Sequence, residues 1–495
     1  MGRFRGWRDA TPTPRHLISI VGVVVAASAV AMIPAAVVSL LYSEWGTALG
    51  IAVAALITGG AGVAGAVWAG EASELTPKEA FAAVGFAWIT VTLFGTLPFL
   101  ITGTITDFTN AFFETAAGFT TTGATVVADP SDLPHGILIW RASTQWLGGM
   151  GIIVLSIAIL PLVGAGGVQL ARAESPGPEP DRLTPRFRDT AIRLWLLYLA
   201  LTAAAVVLLA LGDMGLFQAF AHALTTVSTG GFSTEATSLT EFSGYTKWVT
   251  MAFMFVAAAS FALHIRALRD PKVYLRSTEF RYYVAIISGA ALLMIFGAWA
   301  GTGALIGTVR DGLFTSLTVV TSTGFIVADY TEWQVTLSIF VVGLMFIGGM
   351  AGSTAAALKT YRVGVLASAA TAELRRLNRP NSVLVTRFGG DPVPEPLVRS
   401  IQSFFLFYVG FFFIGTILFS FLEWTMSDGT DMISATSAAA STLGNFGPAL
   451  GEFGPRNNYL GVVWSAKWVL VFLMFLGRLE IFPILLLFTK RFWKR

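Results

Sequence analysis

Four short stretches join small hydroxyl side chains to glycine: Ala117–Thr125 (AGFTTTGAT), Val227–Ser233 (VSTGGFS), Thr321–Ile326 (TSTGFI) and Ala440–Phe446 (ASTLGNF). Residues of these types suit one chemistry in particular. Glycine reaches positive φ without strain, and backbone of alternating handedness can aim successive carbonyl oxygens at a common axis. Rings of such carbonyls replace the hydration shell of a monovalent cation, and four copies are needed to close a ring. Aligned on Gly123, Gly231, Gly324 and Gly444, the loops offer Thr121, Thr122, Gly123, Ser228, Thr229, Gly230, Gly231, Ser322, Thr323, Gly324, Thr442, Leu443, Gly444 and Asn445 as ion-binding positions. The alternative is that each Gly-Thr stretch only lets helices pack closely, as small residues do in membranes.

The elements that must position these loops follow from composition. The chain has 495 residues, 55% of them hydrophobic and 12% charged, and a mean hydropathy of +0.70. A composition this apolar belongs in a bilayer. Ten stretches approach the ~20 apolar residues a span requires: 17–41, 47–70, 79–102, 136–163, 189–212, 245–268, 282–300, 334–363, 400–424 and 458–488. The first stands behind Arg3, Arg5, Arg8 and Arg15 and is too long for a signal-peptide core, which makes it a retained anchor. Cysteine is absent, so no disulfide framework or thiolate metal site exists.

Of the 32 Lys and Arg, 26 fall in the N-terminus, in segments 71–79, 164–193, 266–281 and 371–399, at Lys359 and Arg362, or in the C-terminus. The positive-inside rule makes these segments and both termini cytoplasmic. The opposite segments carry acids such as Asp107, Asp129, Asp213, Glu235, Asp329 and Glu452, so the outer face attracts cations.

From residue 79 one unit recurs four times: spanning helix, outer loop ending in the glycine motif, second spanning helix. The expected fold is an all-α polytopic membrane protein with ten transmembrane helices. Residues 1–78 form an N-terminal helical pair, and 79–170, 186–275, 279–370 and 397–495 form four pseudo-symmetric units around a central pore. Between the spans, Asn110–Phe119, Gln218–Val227, Asp311–Val320 and Asp431–Ala440 are too short to cross. Each opens on a polar residue thirteen before its glycine, an N-cap by position and chemistry. They are expected to be re-entrant half-helices whose non-helical return strands line a path, because lipid cannot satisfy bare backbone. Glu114, His222, Thr315 and Ala435 share one register; four chemistries at one position suit packing or filter support. The Pro- and Gly-rich linkers 174–185 and 378–396 are expected to be loops without a core.

The motifs TTGATV, STGGFST, TSTGF and TLGNFGP, with WLGGMGIIVL (Trp146–Leu155), GGMAGST (Gly348–Thr354) and LGRLEIF (Leu476–Phe482), resemble the Trk/Ktr/HKT superfamily of potassium transporters. With its extra N-terminal helical pair the chain is most similar to the bacterial TrkH/TrkG branch. The resemblance runs from residue 17 to the end. It implies a potassium-translocating subunit of the bacterial cell (inner) membrane, usually a homodimer. It also implies a cytosolic ring of nucleotide- and NAD-binding subunits, TrkA-like, docked on the basic inner loops. K+ is then the transported ion and membrane lipid the surrounding partner; no organic cofactor and no nucleic acid are implied. Glycine in all four loops accompanies potassium preference in that superfamily. A sodium-coupled or weakly selective cation transporter is the alternative within the class.

The resemblance also marks a gate. Gly348, Gly349, Gly352, Ser353 and Thr354 interrupt a span and, with Lys359, would form a broken helix beneath the filter; Arg478 would be an electrostatic barrier in the pore. A kinked packing helix and a structural salt bridge of Arg478 to another helix are the respective alternatives. Ala355, Ala356 and Ala357 stand where the superfamily is usually glycine-rich, and alanine favours helix by ~1 kcal/mol per residue over glycine, so a shorter or stiffer loop is expected. An intramembrane enzyme is the remote alternative. The sequence has no HExxH, no GxSxG elbow and no Walker A or dinucleotide fingerprint.

Overall fold

The computed structural model describes residues 12–70, 77–159, 185–302, 305–331, 333, 335–378 and 384–493. Arg3, Arg5 and Arg8, and almost all of the linker 174–185, lie outside the described residues. The protein is mostly helical. Leu56, Val67 and Leu406 are more than 70% exposed while Thr122, Thr226 and Thr442 are at 0%. Apolar side chains outside and hydroxyls inside are the arrangement a lipid solvent selects.

The N-terminal pair comprises α1 (Pro14–Val30), α2 (Ile33–Leu41) and α3 (Trp45–Ala69). The expected first span is interrupted at Ala31–Met32, since Pro34 has no N–H to continue the ladder. α1 and α3 cross at backbone contact: a Cβ on Gly62 would lie 2.5 Å from the Ala26 nitrogen.

The next stretch holds α4 (Pro77–Gly95), α5 (Leu97–Thr102), the short α6 (Phe108–Phe119) and α7 (His135–Ile159). It is followed by α8 (Pro185–Ala210), the short α9 (Leu216–Val227), α10 (Gly244–Ala257) and α11 (Phe261–Ala267). Then come α12 (Thr278–Thr302), α13 (Leu305–Val320), α14 (Val335–Leu344) and α15 (Thr360–Asn378). The last are α16 (Glu395–Met426), the short α17 (Met432–Gly444), α18 (Trp464–Arg478) and α19 (Phe482–Leu487). Among the described residues six helices are long and apolar enough to cross a membrane, or seven if α10 and α11 count as one.

Besides the first span and the step between α4 and α5, three of the expected spans are not continuous helices. α10 and α11 meet at 98° across Ala258–Ser260, a break without glycine or proline. The carbonyls it frees are not left bare: Ala257 O accepts from Thr354 Oγ1 at 3.0 Å and Ala258 O from Met350 N at 2.9 Å. The stretch 334–363 is non-helical from Met345 to Lys359. The last span breaks at Leu479–Ile481, where Glu480 and Ile481 hold φ of 60° and 56°.

The linker expected to lack a core has a small one. Arg387–Phe388 pairs antiparallel with Asp391–Pro392, and Phe388 is buried among Val365, Val393, Leu397, Val398 and Ile401. A Cβ on Gly364 of α15 would come within 2.2 Å of the Phe388 ring, so glycine makes room for that ring. The hairpin thereby pins α15 to α16. Phe388→Ala should lower stability by about 3 kcal/mol, in the range for truncating a buried aromatic, read as a lower melting temperature in detergent.

Candidate ion site

The glycine loops follow the C-terminal ends of α6, α9, α13 and α17, and each repeats one backbone pattern. A residue in the left-handed region comes first: Thr121, Thr229, Ser322 and Asn445, at φ of 53°, 52°, 51° and 51°. Two positions on stands a glycine at positive φ: Gly123 (77°), Gly231 (80°), Gly324 (85°) and Gly447 (105°). The residue between donates its amide five positions back, Thr122 to Ala117, Gly230 to Thr225, Thr323 to Thr318 and Phe446 to Ser441, at 2.8 to 2.9 Å. The fourth loop therefore registers on Gly447, not Gly444. Gly444 is the last residue of α17, and its bare Cα instead lets α17 approach the Met345 carbonyl, to which a Cβ would be 2.4 Å.

The N-caps agree with the corrected register. Asp107, Gly215 and Asp431 cap α6, α9 and α17, each sixteen positions before its glycine. Asn110 and Gln218, expected as caps, are the caps' partners three residues on, in the first turn: Asn110 N donates to Asp107 at 2.8 Å, and Gln218 Oε1 accepts from Gly215 N at 3.1 Å. α13 begins at Leu305, so Asp311 lies inside it. Burial pushes the Asp431 carboxyl up, but hydrogen bonds from Ser434 and the Ile433 amide outweigh it and hold the group below the usual carboxylate range.

The loops close on one another in a cycle. A Cβ on Gly123 would lie 2.2 Å from Gly230 O, one on Gly231 2.0 Å from Thr323 O, one on Gly324 2.2 Å from Phe446 O, and one on Gly447 2.4 Å from Thr122 O. Each is below any tolerable contact, so every glycine admits the next loop's carbonyl and the fourth loop returns to the first. All four glycines line one open vestibule, together with Arg141, Glu235 and Tyr459. The half-helices end at these loops and present the negative ends of their dipoles to them.

The expected gate residues also assemble. Gly348 N donates to Leu358 O at 2.8 Å and Leu358 N to Phe346 O at 3.1 Å, closing 345–359 into a loop through a parallel bridge between Ile347 and Leu358. The loop requires glycine at 348, where a Cβ would meet Ala356 O at 1.8 Å. The segment lies against the α10/α11 break through Met350, Gly352 and Thr354, and Ser353 Oγ closes back on Met350 O. Gly349 packs on Ala258 O, and Lys359 Nζ donates to the Ala355 carbonyl. Ala356 N donates to Ser322 Oγ of the third loop at 2.8 Å. The three alanines are not helical, and Ala357 holds φ of 56°. Tertiary hydrogen bonds outweigh a propensity of ~1 kcal/mol per residue.

Arg478 is 2% exposed. Its Nη1 donates to Thr354 O at 2.8 Å and its Nη2 to Gly148 O at 3.0 Å, tying the non-helical segment to α7. Its sequence neighbour Glu480 pairs instead with Arg362 at 2.5 Å.

Several supporting residues escaped the sequence. Gln145 of α7 donates to Gly230 O at 2.7 Å and accepts from Phe232 N at 3.0 Å. Tyr459 donates to Gly447 O at 3.0 Å, and Asn445, already a sequence candidate, reaches Thr122 Oγ1 through Nδ2 at 2.8 Å. A buried glutamine inside an apolar span was the available signal for Gln145.

A profile of TrkH cation transport proteins matches residues 49–288 and 303–495. The chain is 36% identical over 488 residues to the Trk system potassium uptake protein TrkH of Halomonas elongata, covering 97% of this chain and 99% of that one. It is 37% identical over 435 residues to TrkH of Escherichia coli K12, covering 86% and 88%. The crystal structure of the potassium transporter TrkH from Vibrio parahaemolyticus superposes with a TM-score of 0.88 at 34% identity, over 97% of this chain and 99% of that one. An apolar exterior around buried loops, together with relatives that are potassium uptake proteins, makes the molecule a multi-pass membrane transport protein and not an enzyme. It belongs to the TrkH family of cation transport proteins.

Gly123→Ser and Gly447→Ser should each lower the potassium to sodium flux ratio about tenfold, the equivalent of ~1.4 kcal/mol of differential ion binding. Gly444→Ala should instead cost stability and leave the ratio of the folded fraction unchanged. Flux from proteoliposomes compares the three.

Proposed function

We propose that this chain is the potassium-translocating subunit of a potassium uptake system, with the four-loop ring as its selectivity filter. The cyclic glycine-to-carbonyl contact carries this reading. A closed ring of backbone from four places in the chain is what replacement of a cation's hydration shell requires, and close packing of helices in pairs does not call for a cycle. K+ passes along the ring axis, held by carbonyls of residues 121–123, 229–231, 322–324 and 445–447, with four half-helix ends contributing partial negative charge. The units 79–170, 186–275, 279–370 and 397–495 each supply one quarter, and 1–78 is a peripheral pair. The relatives' names, Trk system potassium uptake proteins, support the ion.

The gate in this reading is the non-helical segment with Arg478. The guanidinium is held by two carbonyls, while the nearest sequence carboxylate, Glu480, is engaged by Arg362. A cation about 6 Å from it meets ~3 kcal/mol of repulsion at an effective dielectric of 20. The segment's hydrogen bond to Ser322 couples gate to filter. The subunit works as a homodimer in the inner membrane with cytoplasmic termini, and a cytosolic nucleotide-binding ring engages the basic face, in keeping with the multi-component Trk system of its relatives' names.

Purified protein in liposomes should take up potassium and rubidium in preference to sodium. Equal sodium flux, or flux strictly dependent on sodium, would replace this reading with a sodium-coupled or unselective transporter. Arg478→Ala should raise potassium flux several-fold; an unchanged or lower rate in folded protein counts against the barrier.

A further inference from the structure

Glu114 and Arg141 form an ion pair wholly inside the protein. Both Arg141 Nε and Nη2 lie 2.8 Å from Glu114 Oε1, and the side chains are 0% and 2% exposed. An ion pair buried this deeply is often less stabilising than apolar residues of equal volume, because both ions lose their hydration. Its value here must lie in what the charges hold.

They hold two filter loops. The Glu114 carboxylate accepts from Thr125 Oγ1 at 3.0 Å and from Val126 N at 2.9 Å. Arg141 Nη2 reaches Thr125 Oγ1 at 3.2 Å, and its Nη1 crosses to the second loop, 3.3 Å from Ser233 O. The guanidinium stacks 4.3 Å from the centroid of the Phe232 ring. Thr125 and Val126 follow the ring glycine Gly123; Phe232 and Ser233 follow Gly231. The fork therefore grips the two strands that leave the ring side by side.

The other loops have weaker devices at the matching position, nine before the ring glycine. His222 Nε2 meets Ser233 Oγ at 3.0 Å, Thr315 bonds back within its own helix to Asp311 O, and the fourth position, on the Gly447 register, is Ala438 and not Ala435. Charge-assisted hydrogen bonds are about twice as strong as neutral ones, and the planar guanidinium fixes direction as well as distance. At this position only the first and second loops are joined through an ion pair.

We propose that Glu114 and Arg141 are specificity-determining positioning residues: a strut behind the filter that fixes the spacing of the first and second loops. A smaller cation gains from carbonyls only if the ring contracts around it, and the strut opposes that contraction. This rests on the filter reading above. Neither residue touches the ion.

The test is the potassium to sodium permeability ratio from reversal potentials in proteoliposomes. Glu114→Gln keeps the shape but removes the charged acceptor; Thr125→Val removes the hydroxyl both partners share and leaves no buried charge unbalanced. The ratio should fall about tenfold in Glu114→Gln and about threefold in Thr125→Val, ~1.4 and ~0.7 kcal/mol respectively. Glu114→Gln combined with Arg141→Gln restores neutrality, and its ratio should stay low. A purely structural pair would lower yield or melting temperature and scale all fluxes together; wild-type ratios in the folded variants, or recovery of the ratio in the neutral double variant, would overturn the proposal. If Glu114→Gln does not fold, the Thr125→Val ratio decides alone. Wild-type protein that fails to prefer potassium overturns the filter reading itself, and the strut with it.

Discussion

A hydrogen atom in place of a methyl group at four positions is the constraint on which the structure rests. The carbonyls of Gly230, Thr323, Phe446 and Thr122 occupy the volume a side chain would take at Gly123, Gly231, Gly324 and Gly447. No rotamer change can relieve such a contact, because backbone meets backbone. The half-helices must therefore end at matched depths, and the left-handed residue before each glycine must turn the chain by the same amount. That residue is a threonine, a threonine, a serine and an asparagine, so the geometry is common while the side chains differ.

Beneath the ring, the breaks in three of the expected spans are mutually dependent. The α10/α11 break frees carbonyls that the segment 345–359 takes up, and that segment in turn offers Thr354 O to Arg478 at the end of α18. Arg478 also holds Gly148 O of α7. Backbone without helix at this depth survives because each piece satisfies another, as lipid could not.

Much of this was legible in the sequence, and the failures are instructive. The hydroxyl-glycine motifs located all four loops, and the glycine cluster at 348–354 located a break, because glycine marks positions where backbone departs from helix. The fourth loop misled because TLGNFGP holds two glycines, and the nearer one aligned with a row of polar residues at thirteen positions. The signal passed over was asparagine's tolerance of the left-handed region, which marks Asn445 as the turn and Gly447 as its glycine. The bend at Ala258–Ser260 carried no local signal: alanine favours helix, and only the hydrogen bonds from Met350 and Thr354 impose it. The same override acts on Ala355–Ala357. Glu114 carried only a packing or filter-support reading and its partner Arg141 none, since nothing in sequence pairs residues 27 apart.

The cycle of contacts also has a hand. Each loop lends its carbonyl to the glycine of the loop before it, never to the one after, so the ring is a directed chain of clasps and not a symmetric collar. Displacement of one loop is felt directly by both neighbours, by its predecessor through the carbonyl it lends and by its successor through the glycine that receives a carbonyl. Filters assembled from four separate identical subunits must spread such a disturbance evenly. In a single chain with four unlike quarters, sequence can tune one clasp without imposing the same change on the rest.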